Sequence, residues 1–104
     1  MPTKSIEKPL ETKFVNWCEH TLGGKAIKGP AFMYTGIPDR IVVLPHGGGT
    51  LWVEFKGGTA YQLTPMQDWW RRKLIDSDPE RYFLVDNYDD LKNLMDYCLT
   101  LIKK

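Results

Sequence analysis

The sequence predicts an α/β fold, a sandwich in which a central mixed β-sheet is flanked by helices, and three observations carry that prediction. Helical periodicity occupies both ends and the middle of the 104-residue chain. Between these stretches lie short β-rich runs, Ile41-Val42-Val43-Leu44, Thr50-Leu51-Trp52-Val53 and Arg81-Tyr82-Phe83-Leu84-Val85, bounded by Gly, Pro, Asp and Asn. The resulting order is helix, β-meander, helix, strand, helix, which layers helices on a sheet.

The first helix is expected to begin near Ser5 or Pro9, since proline is tolerated in a first turn, and to end near Leu22 before Gly23-Gly24. Glu11, Phe14, Val15, Cys18 and Leu22 form one helical stripe, so Glu11 lies on the apolar, inward side. Two readings of Glu11 stand: a favourable charge near a helix start, or a carboxylate aimed at a site. Glu7 lies one turn earlier on the same stripe and is the weaker candidate for that second role. Lys25-Ala26-Ile27-Lys28 can form a short strand that Gly29-Pro30 interrupts. After Phe32-Met33-Tyr34 and Gly36 comes a hairpin. A loop over residues 45–48 pairs Leu44 with Gly49 and sets Asp39 opposite Glu54. Strand alternation then places Trp52, Glu54 and Lys56 on one face and Leu51, Val53 and Phe55 on the other.

Residues 57–63 read as a loop or flap beside Lys56. Thr64-Pro65-Met66-Gln67 is a strong helix start, with threonine as N-cap, proline first in the helix and glutamine positioned for a capping box. The helix runs to about Ile75. Its Met66, Trp70 and Leu74 stripe reads as core, whereas Trp69, Arg72 and Lys73 face DNA, a partner subunit or solvent. The last helix starts near Asn87, carries Asp89 and Asp90 in its first turn and ends at Lys103-Lys104, matching the helix dipole. Leu91, Leu94, Met95, Cys98, Leu99 and Ile102 give it a broad apolar face for the sheet or for a dimer.

Length and composition narrow the possibilities. The chain is expected to be a single domain, residues 1–104, so further binding surface would come from a second copy. Two isolated cysteines, Cys18 and Cys98, make neither a zinc motif nor a disulfide framework and read as reduced core residues; His20 and His46 read as solvent-facing. No apolar run is long enough for a membrane span or a secretory leader, which makes the cytoplasm the expected compartment. Net charge is +1, but residues 1–73 carry ten Lys/Arg against six Asp/Glu, and residues 74–104 carry four against seven. Masking Glu11, Asp39 and Glu54 with a cation would make the first two-thirds more positive, which suits a phosphate backbone. Lys25, Lys28, Arg40, Arg72 and Lys73 are the candidate DNA contacts.

Two acids and a lysine on neighbouring strands suit phosphodiester hydrolysis. Mg²⁺ takes oxygen ligands in octahedral geometry and retains waters, so Asp39, Glu54 and the Phe55 carbonyl suffice as a protein ligand set. Glu11 could hold a metal water or a second ion. Lys56 could orient the attacking water or neutralise the scissile phosphate. A surface ion pair accounts for most isolated Glu-x-Lys triplets; the preceding Pro38-Asp39, the short hairpin and the inward Glu11 make the set as a whole a site.

Gly36-x-Pro38-Asp39-Arg40, then Val53-Glu54-Phe55-Lys56, then Leu63-Thr64-x-x-Gln67 resembles the signature of the VRR-NUC (virus-type replication-repair nuclease) family of the PD-(D/E)XK superfamily. The resemblance spans about residues 11–85. It implies a restriction-endonuclease-like fold, Mg²⁺ or Mn²⁺ on Asp39 and Glu54, Lys56 assisting the nucleophilic water, Gln67 supporting the site, and a helical glutamate role for Glu11. Gln67 thereby becomes a site residue as well as a cap. Stand-alone members resemble viral or prophage Holliday-junction resolvases acting as homodimers, so four-way DNA junctions, a second copy and the bacterial cytoplasm are the implied partners and location, with no nucleotide cofactor. Two symmetric sites suit paired cuts across a junction. Nicking, flap or exonuclease activity on the same site, and an idle DNA-binding or assembly module, are the competing readings. Trp69 and the last helix are the expected dimer surfaces.

Overall fold

The computed structural model describes residues 6–57 and 62–102. Helix α1 (Glu7–Asn16) carries Pro9 in its first turn, where no amide hydrogen bond is lost, and buries Leu10, Glu11 and Phe14. It does not continue as an α-helix to Leu22. Residues Trp17–Leu22 form a π-helical segment closed by Gly23 in the left-handed region, and the Gly24 amide reaches back to the Cys18 carbonyl at 2.9 Å. With this widened turn, Glu19 accepts a hydrogen bond from the Ala26 amide at 3.2 Å and pairs with Lys25 at 3.2 Å, fastening the helix end to the first strand.

Four strands follow in the order β1 (Lys25–Lys28), β2 (Arg40–Leu44), β3 (Gly49–Phe55) and β4 (Tyr82–Val85). The first three form an antiparallel meander, and β4 joins β3 in parallel. Leu44 pairs with Gly49 and Arg40 with Val53, the register that the hairpin length predicts, which carries Asp39 to the position across from Glu54. Helix α2 (Pro65–Ser77) is the crossover that parallel pairing requires. The sheet is therefore mixed, and with its helices it forms an α/β domain.

Helices α1 and α3 (Tyr88–Leu101) share one face of the sheet. There Leu10, Phe14, Cys18, Val42, Leu51, Val53, Phe55, Val85, Leu91, Leu94 and Cys98 form one core. Both cysteines are free and fully enclosed, and burial pushes Cys18 up to about 11 and Cys98 up to about 12, so both are neutral thiols. Asn87 caps α3 by accepting from the Asp90 amide at 2.8 Å. Lys103 and Lys104 and the proposed flap residues 58–61 lie outside the described residues. Among those described, no helix is long and apolar enough to cross a membrane.

The second face is covered only in part, because α2 lies against β4. One expectation is corrected here. The Met66, Trp70 and Leu74 stripe is not core, since no residue of α2 is fully buried and Met66 is exposed. Trp70 instead packs edge-on against Tyr34 at 6.2 Å and donates from its indole nitrogen to the Thr35 carbonyl at 3.2 Å. Periodicity located an apolar stripe but could not show what stands opposite it. Arg40 turns toward the α1 face that Val53 shares.

Candidate active site

The first turn of α1, the start of β2, the end of β3 and the N-terminus of α2 meet at one end of the sheet. Asp39 precedes β2, and its Oδ2 accepts from the Phe55 amide at 2.7 Å. This contact exists because the β2 ladder begins only at Arg40, leaving the Asp39 side chain to satisfy the neighbouring strand. Glu54 points away from the main core, yet it is only 2% exposed. A carboxylate so enclosed requires partners.

Gln67 supplies one. Its Nε2 donates to Glu54 Oε2 at 3.2 Å, while its Oε1 accepts from Lys56 Nζ at 3.0 Å. Lys56 Nζ also lies 3.7 Å from Glu54 Oε2. The same Oε1 accepts from the Thr64 amide at 2.9 Å, and the Gln67 amide donates to Thr64 Oγ1 at 3.1 Å. Thus the capping box and the acid–lysine pair share one side chain. Gln67 closes the capping box and holds the acid–lysine pair at once, because an amide carries an acceptor and donors.

Gly36 sets the distance between these parts. Its φ is 84°, and a Cβ there would meet the Met66 carbonyl carbon at 2.5 Å and the Gln67 nitrogen at 2.7 Å. Only glycine permits both the backbone angle and this approach. The segment leading into Asp39 thus rests directly on the helix turn that presents Gln67.

The carboxyls of Asp39 and Glu54 act on each other's ionisation. Burial pushes Glu54 up to about 8, and the charge of Asp39 adds to that shift while Lys56 opposes it. Asp39 is also raised, chiefly by burial and against the Phe55 amide, with Glu11 contributing further. One proton held between two close acids is the expected result. Deprotonated, the pair would present hard oxygen donors. Among the described residues no group of three or more His, Cys, Asp and Glu is placed to hold a metal ion. Such a two-acid arrangement suits a cation that keeps water in most of its positions.

The acids of α1 divide. Glu11 Oε2 accepts from Arg40 Nε at 2.8 Å, with Lys8 3.9 Å from its other oxygen. Arg40 also donates to the Ala26 carbonyl at 2.9 Å, so this candidate DNA contact ties α1 to β1 and β2. Glu7 is raised by burial first, then by the charge of Asp39, with Lys56 opposing. Its field also reaches Glu54. Glu7, the weaker candidate on sequence, therefore belongs electrostatically to the cluster. Its position in the first helical turn was the available signal.

The Phe55 side chain lies in the core and its amide serves Asp39. Lys25, Lys28, Arg72 and Lys73 are exposed; Lys25 pairs with Glu19, and Arg72 with Asp68 at 2.9 Å. Neither protein-family models nor curated proteins match the chain.

Proposed function

We propose that the chain is a divalent-metal-dependent, structure-selective endodeoxyribonuclease of the VRR-NUC type within the PD-(D/E)XK fold, acting as a homodimer on four-way DNA junctions. The observation that carries the reading is the clamp of Gln67 on Glu54 and Lys56, with Asp39 on the neighbouring strand held to the Phe55 amide across from Glu54. A surface ion pair needs no such support. Here a buried acid, a lysine and a helix cap are fixed in one geometry, as phosphoryl chemistry requires.

Asp39, Glu54 and the Phe55 carbonyl would hold Mg²⁺ or Mn²⁺, which when bound polarises the phosphoryl oxygens and activates water. Lys56, held by Gln67, keeps its ammonium at the edge of the acid pair, where it orients a water or neutralises a non-bridging phosphate oxygen. Gln67 prevents Lys56 from collapsing fully onto Glu54. Glu7 adds negative charge beside the pair and favours cation binding. A twofold dimer would present two such centres to strands of opposite polarity.

The test is cleavage of an end-labelled four-way junction by the purified protein, with linear duplex, flap and single-stranded controls, in Mg²⁺, Mn²⁺ and EDTA. Symmetric nicking of the junction alone, abolished by EDTA, supports the full reading. Cutting of flaps or duplex in preference removes the junction specificity and keeps the nuclease. No metal-dependent cutting of any substrate refutes the enzyme.

A further inference from the structure

We infer that Phe32 and Trp69 form a stacking site for unpaired nucleobases beside the acid cluster; this rests on the nuclease reading of that cluster. Phe32 is 89% exposed, the most exposed large apolar side chain described. Its position is built by local hydrogen bonds: the amides of Met33 and Tyr34 both donate to the Pro30 carbonyl at 2.9 Å, and the Ile37 amide donates to Tyr34 at 3.1 Å. A closed turn thus holds the ring in water, where burial against a ligand face would be favourable.

The turn is continuous with both α2 and the site. Tyr34 packs edge-on to Trp70, and Trp70 edge-on to Trp69 at 5.3 Å. Two residues after Tyr34, Gly36 rests on Met66 and Gln67, and Gln67 holds Lys56. A strand whose phosphate lies at Lys56 therefore has the aromatic turn as its neighbour.

Charge identifies the occupant. Lys73 Nζ stands 5.5 Å from the Trp69 ring centre, and Trp69, Arg72, Lys73 and Asp76 line an open cleft of about 460 Å³. A nucleotide offers an aromatic face and an adjacent anion, which match the Trp69 ring and the Lys73 ammonium over it, Arg72 being paired with Asp68. An apolar protein surface would instead strip water from Lys73 without replacing it. Bases at a junction crossover or a frayed end are the ones free to stack.

The experiment is fluorescence anisotropy in EDTA, comparing an oligothymidylate of about 12 nucleotides with an abasic sugar–phosphate strand of the same length. Wild type is expected to prefer the base-bearing strand. Phe32→Ala and Trp69→Ala are each expected to weaken that strand's binding about fivefold to a hundredfold, with little effect on the abasic strand. Phe32→Tyr is expected to retain the preference, and Phe32 is so exposed that its truncation leaves the fold intact. Equal binding of both strands by wild type overturns the proposal. So does conversion of a dimer to a monomer by Phe32→Ala with base preference unchanged, which assigns the turn to contacts between copies. Wild-type cleavage in Mg²⁺ is scored separately: cleavage without base preference removes only the stacking site, and base preference without cleavage removes only the nuclease.

Discussion

Lys56 donates to Gln67 Oε1 at 3.0 Å, the same atom that accepts from the Thr64 amide at the start of α2. A helix cap and a charged site residue are thus joined through one oxygen. This coupling makes the orientation of Lys56 depend on how well a helix begins, and it separates variants that look alike in sequence.

Thr64→Ala removes the hydroxyl that accepts the Gln67 amide but leaves the Gln67 side chain in place. It is expected to cost about 1 kcal/mol in urea unfolding while leaving most cleavage intact. Gln67→Ala should cost a similar amount and lower cleavage about tenfold or more, because Lys56 then relaxes toward Glu54. Equal activity of the two variants would detach Gln67 from the site.

Asp39→Asn and Lys56→Ala are expected to abolish metal-dependent cleavage, a loss on the order of a hundredfold or greater, with junction binding retained in gel shift. If binding disappears together with cleavage, the cluster serves substrate binding rather than chemistry.

Glu54 holds its proton up to about pH 8 in the folded chain against 4.5 for the free side chain. The folded state therefore binds more protons than the unfolded one across that window, so stability falls as pH rises through it and levels off above. Thermal melts in EDTA should show Tm falling from about pH 5 to about pH 8, and Glu54→Gln should flatten the slope. Mg²⁺ competes with that proton and should raise Tm more at about pH 8 than at about pH 5. A Tm that climbs with pH in the absence of metal contradicts the burial of Glu54.

Glu11 and Glu7 are expected to separate into a structural and a site acid. Breaking the pair by Arg40→Ala leaves Glu11 enclosed and unbalanced and should cost about 3 kcal/mol. Glu11→Gln should also destabilise. Glu7→Gln should leave stability nearly unchanged and reduce cleavage about tenfold, consistent with its charge acting on Glu54 and with the charge of Asp39 acting on it. The reverse pattern, measured on folded protein at low temperature, would return the role to Glu11.

Gly36→Ala meets the Met66 backbone at a left-handed φ and should cost about 2–3 kcal/mol or more, with cleavage falling as Gln67 shifts. Gly23→Ala has a similar φ of 89° but open space around it, so its cost should stay near about 1 kcal/mol. Circular dichroism melts of the two variants separate strain from collision.

Sequence alone determined the element order, the hairpin register, the capping box at Thr64 and the alternation that sends Glu54 and Phe55 to opposite faces. These follow from interactions a few residues long: a period of two or 3.6, a turn length, a hydroxyl three residues from an amide. Tertiary structure alone decided that Arg40 neutralises Glu11, that Glu7 joins the acid cluster and that Trp70 docks on Thr35 rather than in the core. Each of these depends on which distant charge or surface stands opposite, and no local spacing encodes that. The widened turn at residues 17–22 also left no local mark, since its residues suit an ordinary helix.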